Sequence, residues 1–181
     1  MDLYPTRDDM EALLQASLDD LLANDAILLR NDVSERAITH KLAQHMQTKF
    51  RYLDVDCEYN RDVTRGANAT KSINVLRDRT REERLRLADA NDETEFTSIS
   101  TYPDIIVHHR GTNRYNLLVV EVKKTSSRAR PEHDLEKLVC FTEATEENVY
   151  RYRYGAFVVL GTRNRAVEVP VVRWFQEGRE T

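Results

Sequence analysis

Residues 102–124 read YPDIIVHHRGTNRYNLLVVEVKK, and this stretch decides the fold. Asp104-Ile105-Ile106-Val107 is a short apolar run, and His109-Arg110-Gly111-Thr112-Asn113 supplies a turn. Asn116 to Lys123 is then apolar almost without interruption until Glu121. Two such runs predict neighbouring strands, the second one buried on both faces at the centre of a sheet. Side chains alternate along a strand, so Glu121 and Lys123 share a face while Val122 points the other way. Charged groups at the end of a buried strand are costly unless each meets a partner or an ion. If the two strands are neighbours, Asp104 lies beside Glu121. Two close carboxylates repel unless a cation or a proton neutralises them, and hard oxygen ligands of this kind suit Mg²⁺.

Working outward, residues 6–29 predict a helix, with Thr6 as its cap, Asp9 three residues on, and Met10, Leu13, Leu14, Leu18, Leu21 and Leu22 at helical spacing. A second helix is expected from about Val33 to Lys49, with Ile38, Leu42 and Met46 on one stripe. Tyr52 to Arg61 suits a strand, with Asp56, Glu58 and Asn60 on one face. Residues 63–100 read as a charged insertion, with a loop at Gly66-Ala67-Asn68 and a charged helix from Ile73 to Ala90. Past the deciding stretch, Pro131 is placed to open another helix striped by Leu135, Leu138 and Val139. Tyr154 to Leu160 predicts a strand, and Val167 to Trp174 one more at the sheet edge, where Pro170 is tolerated. The expectation is therefore an α/β fold: a central mixed sheet of four to five strands flanked by helices, in a single domain. Residues 1–30 form its N-terminal helical extension, 33–62 and 101–161 its core, and 63–100 its charged insertion.

Pro103-Asp104, sixteen residues, then Glu121-Val122-Lys123 resembles the signature of the PD-(D/E)XK, or restriction-endonuclease-like, nucleases. The order helix, strand, strand, strand, helix, strand resembles that family's common core over roughly Val33 to Gly161, with residues 63–100 outside it. The resemblance implies a nuclease that hydrolyses phosphodiester bonds, in DNA first of all, with Mg²⁺ as cofactor and Mn²⁺ as a substitute. Asp104 and Glu121 would hold the ion, with the Val122 carbonyl completing the protein ligands. Lys123 would orient the attacking water or stabilise charge developing on the phosphate.

Members of the family often add an acidic residue from the first core helix. Glu35 is the candidate, turned toward the Ile38 and Leu42 stripe. A competing role is local: Asp32-Val33-Ser34-Glu35 also reads as a capping box. Glu58 is a possible extra acid on the first strand. Lys137 resembles the helix position from which the family supplies a further polar group, although an exposed lysine beside Glu136 reads equally well. Lys124 should face away from the motif, where a phosphate contact and plain solvation both fit. Arg128 and Arg130, in the following loop, suit backbone phosphates, as do Arg77, Arg79, Arg81 and Arg84 of the insertion.

Composition bounds the remaining choices. At 181 residues with a net charge of −4, the chain is long enough for one well-buried core. Residues 61–86 nevertheless hold eight basic against four acidic side chains, a net charge of +4. That asymmetry can steer a polyanion to one side of the molecule, although a solvated ion-paired helix has the same composition. Cys57 and Cys140 are too few for a disulfide framework and lack zinc-site spacing. His40 and His45 are five apart, and His108 and His109 are adjacent, so neither pair matches a zinc site; His108, near Asp104, would touch the site only through another group. No glycine-rich phosphate loop occurs. No apolar run approaches the roughly 20 residues of a membrane span, and the acidic N-terminal stretch is unlike a secretory signal, so a cytoplasmic setting without a membrane partner is the default expectation. A non-catalytic nuclease-like module, a defence or toxin subunit active only in a complex, and a homodimer built on the leucine-rich first helix stay open.

Overall fold

The computed structural model describes residues 5–62, 69–76, 96–146, 148–166 and 168–181. The Thr6 hydroxyl accepts the Asp9 amide while the Asp9 carboxylate accepts the Thr6 amide, and this reciprocal cap starts α1 (Arg7–Arg30). Asp32 turns the chain with a φ of 51°, a left-handed conformation that a short polar side chain tolerates. Ser34 then caps α2 (Glu35–Lys49) by accepting the Ala37 amide. Next come β1 (Asp54–Cys57), β2 (Ser72–Leu76), β3 (Phe96–Ser100), β4 (Ile105–His108) and β5 (Leu118–Lys124). After α3 (Glu132–Thr142) the chain returns as β6 (Tyr154–Leu160), β7 (Val171–Gln176) and β8 (Arg179–Glu180).

The main sheet is mixed and has six strands in the order β1-β4-β5-β6-β7-β8. Among the described strands only β5 and β6 run parallel, with α3 as the crossover that such a pair needs. α1 and α2 cover one face. Leu14, Leu18, Ile38, Leu42 and Met46 form a single core there with Ile105, Val107, Val120 and Val122. α3 and the separate β2–β3 hairpin cover the other, where Ile73, Leu138 and Phe141 join Ile106, Val119 and Phe157. β5 is thus buried on both faces, as its unbroken apolar run predicts. No helix among the described residues is long and apolar enough to cross a membrane.

Several expectations change. The sheet has six strands, because β7 and β8 extend it past β6, and the edge belongs to β8 and β1 instead of β7. The first strand is shorter than Tyr52–Arg61: Tyr52 stands 96% exposed in the preceding turn, and Glu58 at a φ of 49° ends the extended run. Within 63–100, residues 73–76 are strand and not the start of a helix. Alternating Ile73 and Val75 favour a pleated surface, and Ile73 is fully buried beneath it. The expected loop at 66–68 and the rest of the charged helix lie outside the described residues.

Candidate active site

The register Ile105↔Val120 and Ile106↔Val119, continued by one residue, sets Asp104 opposite Glu121. Asp104 sits just before β4, and its Oδ2 accepts the Val122 amide at 2.8 Å. That bond ties the carboxylate to the end of β5. Glu121 and Lys123 face α3, on the same side as Val119. Glu121 is 1% exposed, and its Oε2 accepts a hydrogen bond from the Lys137 ammonium at 2.5 Å. Its other oxygen, Oε1, is buried without a hydrogen-bond partner among the described residues. Lys123 turns to the Asp134 Oδ2 at 2.6 Å, and Lys137 reaches the other Asp134 oxygen at 3.5 Å.

Glu35 arrives from the opposite face. Ser34 makes the cap of α2 alone, so the capping box proposed for Asp32 to Glu35 does not form. The Glu35 Oε2 instead accepts the Lys124 amide at 2.9 Å, at the end of the same strand. The site is therefore assembled where β5 ends, with α2 on one side of it and α3 on the other. An open cleft of about 740 Å³ runs alongside, lined by Glu35, Arg36, His40, Cys57, Glu58 and Asp104.

Four carboxylates (Glu35, Asp104, Glu121, Asp134) share this region with two ammoniums (Lys123, Lys137), an excess of two negative charges. Their titration reflects it. Burial first, then the Asp134 and Glu35 charges, push the Asp104 carboxyl above its ordinary value despite the Val122 bond and Lys137. Burial pushes Glu121 well above its own, Lys137 opposing and Asp104 and Asp134 adding to the rise. Burial works against the charged forms of Lys137 and Lys123, yet the acids around them outweigh it and hold both pKa values up. Both lysines stay charged, and the surplus negative charge falls on the half-buried Asp104 and the buried Glu121.

The remaining sequence candidates divide. Lys137 belongs to the site and is buried, which removes the exposed-helix alternative. Lys124 lies on the other face, but neither in solvent nor free for phosphate: its ammonium is 2.9 Å from Asp32 Oδ1 and donates to the Val33 carbonyl, pinning β5 to the turn before α2. Glu58 borders the cleft but is ion-paired to Arg36 at 2.6 Å. Arg128 and Arg130 are exposed in the loop after β5. Arg77, Arg79, Arg81 and Arg84 lie outside the described residues. His108 is at the far end of β4 and bonds Asp56, so it does not reach Asp104. Burial, then Asp104 and the neighbouring acids, raise the Cys57 thiol to about 11, so it is no nucleophile at neutral pH. Asp134 was not anticipated. Its spacing of three from Lys137 on a helix is the signal that would have found it.

Among the described residues, no three His, Cys, Asp or Glu side chains come together as a ready-made metal cage. Mg²⁺ does not require one, since it is commonly held by one or two carboxylates with waters and substrate phosphates. The unpartnered Glu121 Oε1 and the excess of two negative charges fit a divalent ion. The chain matches no protein-family model, no curated protein and no solved structure.

Proposed function

We propose that the chain is a metal-dependent nuclease of the PD-(D/E)XK kind, hydrolysing phosphodiester bonds in DNA with Mg²⁺, for which Mn²⁺ substitutes. The observation that carries this reading is the pairing of the half-buried Asp104 with the buried Glu121, opposite each other on two neighbouring strands, with more negative charge than their lysines neutralise. Asp104 and Glu121, with the Val122 carbonyl, would hold the ion, and Glu35 adds negative charge from the α2 side. A divalent ion held there would supply Lewis-acid chemistry, lowering the pKa of a bound water and polarising the phosphodiester. Lys123, on the Glu121 face of β5, donates to the attacking water or to the phosphate oxygens as charge develops, and Asp134 keeps that ammonium charged and oriented. Lys137 stabilises the Glu121 carboxylate against burial. Arg128 and Arg130, exposed after β5, suit the flanking phosphates.

One observation favours a second reading, a nuclease-like module that binds without cutting. Lys137 already occupies one Glu121 oxygen, so the chain itself provides part of the neutralisation an ion would bring. A single assay separates the two: the protein is incubated with plasmid, single-stranded DNA and RNA in Mg²⁺, Mn²⁺ or EDTA. Cleavage that needs the metal supports the nuclease. Binding without cleavage under every condition supports the module, and cleavage undiminished in EDTA overturns the metal-dependent mechanism.

A further inference from the structure

A second cavity lies at the other end of α2 from the site. It is an open groove of about 480 Å³, floored by Leu13, Phe50, Leu53 and Leu117. Arg51, Tyr52, Arg114 and Tyr115 line its mouth. The Tyr52 ring is 96% exposed, an unusual state for so large an apolar surface. The Arg114 guanidinium lies 5.6 Å from the centre of the Tyr115 ring. Neither Arg51 nor Arg114 is ion-paired with a described carboxylate, and no acidic side chain lines the groove. Lys49, also at the groove, is neutralised by Asp20 at 2.7 Å.

The surface between groove and site is polar, and most of its charges are paired. Glu35 is the only acid of α2, against Arg36, Lys41 and Lys49. Gln47 faces β1, accepting the Val55 amide and donating to the Leu53 carbonyl, so the seam of α2 with β1 runs from the cleft to the groove. The acids along it have basic partners: Asp54 and Asp56 of β1 share Arg110, and Glu58, just past the strand, pairs with Arg36. At 1.5 Å per residue, the helix separates the two ends by about 21 Å. A strand that keeps the stacked rise of about 3.4 Å per nucleotide covers that in about six nucleotides.

We propose that this groove is a second contact for a single-stranded nucleic acid, with a base stacked on Tyr52 and phosphates held by Arg51 and Arg114, about six nucleotides from the cleavage site. The identity of the occupant rests on the nuclease reading. The chemistry of the groove is its own: aromatic faces accept any base, and two guanidiniums that meet no carboxylate among the described residues, beside an apolar floor, match an aromatic anion. A rigid duplex cannot splay a base onto Tyr52, so the contact selects single strands or frayed ends.

The test is fluorescence anisotropy in EDTA with the full chain and a labelled single strand of about 12 nucleotides. Tyr52→Ala is expected to weaken binding about 5- to 100-fold, while Tyr52→Phe binds as the unmodified protein does. Arg51→Ala or Arg114→Ala weakens it as well and lowers the slope of log affinity against log salt by about 0.7 per lost contact. A blunt duplex of the same length shows no dependence on Tyr52. Single-strand binding that ignores both Tyr52→Ala and Arg114→Ala overturns the inference. So does a dimer, seen by sedimentation, that Tyr52→Ala dissolves, because the groove would then take a second copy of the chain. Since EDTA removes cleavage from the measurement, the two readings fail separately. A metal-dependent nuclease indifferent to Tyr52 loses only the groove, and a Tyr52-dependent binder that never cuts loses only the nuclease.

Discussion

Asp104→Asn removes one charge from the site and little else, because an asparagine oxygen can still accept the Val122 amide that Asp104 accepts at 2.8 Å. Opposed residues of neighbouring strands hold their side chains about 5 Å apart. Two unit charges at that distance repel by about 3 kcal/mol at an effective dielectric constant of about 20. Burial, Asp134 and Glu35 already push the Asp104 carboxyl up. A carboxyl raised on folding keeps its proton longer in the folded chain, so the unmodified protein is progressively destabilised as pH rises above about 4 through the folded pKa. The ceiling on that loss at pH 7, were the group to stay neutral, is about 4 kcal/mol. Asp104→Asn is therefore expected to stabilise the protein by about 1–3 kcal/mol at pH 7 and to have little effect near pH 4. Urea unfolding of both proteins at the two pH values measures this. Mg²⁺ should reverse the ranking: at a hundredfold excess over its dissociation constant it stabilises the unmodified protein by about 2.7 kcal/mol, and Asp104→Asn should lose most of that gain. An Asp104→Asn protein less stable than the original at both pH values would refute the reasoning, since the carboxylate would then be a structural anchor and not a strained ligand.

The two roles weighed for the start of α2 also separate by mutation. Ser34→Ala should cost about 1 kcal/mol of stability in urea unfolding and leave cleavage intact, whereas Glu35→Gln should change stability little and lower the cleavage rate. Lys71 is 1% exposed, donates to the Tyr152 hydroxyl at 2.8 Å and lies over the rings of Tyr59, Tyr150 and Tyr152. Burial lowers its pKa to about 8 against the pull of Asp62 and Asp56, so below that pH its charge costs stability, about 3 kcal/mol, and the cost is relieved as pH rises from 8 toward 10. The stability difference between Lys71→Met and the unmodified protein, measured at pH 7 and pH 10, should move in favour of the unmodified protein by that order. A Cβ added at Gly161 would meet the Arg165 carbonyl oxygen at 1.8 Å, so Gly161→Ala should lose about 3 kcal/mol in the same assay.

The centre of the sheet was legible because burial on both faces leaves β5 a continuous apolar run, and a charge at its end has few explanations. The pairing of β4 with β5 follows from the short turn between them, and that pairing sets Asp104 opposite Glu121. The sheet's outer half was harder. β8 is two residues long and exposed, too short to show an alternation. The β2–β3 hairpin joins strands separated by a charged segment, so its pairing is non-local and its composition looked helical. Lys124 shows the limit of reading a strand by parity. Alternation put it on the correct face, but its partner, Asp32, comes from a turn far away in sequence. Asp134 was missed for a related reason. Its spacing of three from Lys137 is visible in the sequence, but that spacing gains its meaning only from α3 crossing over the end of β5, which is tertiary packing.

The most direct measurement is the cleavage rate of labelled DNA in Mg²⁺ by the unmodified protein, Asp104→Asn and Glu121→Gln, with folding of each checked by circular dichroism. The account predicts cleavage by the unmodified protein that EDTA abolishes and excess Mg²⁺ restores, and none above background by either folded variant. Equal cleavage by all three proteins, or no binding of Mg²⁺ or Mn²⁺ that depends on Asp104 and Glu121, would contradict it.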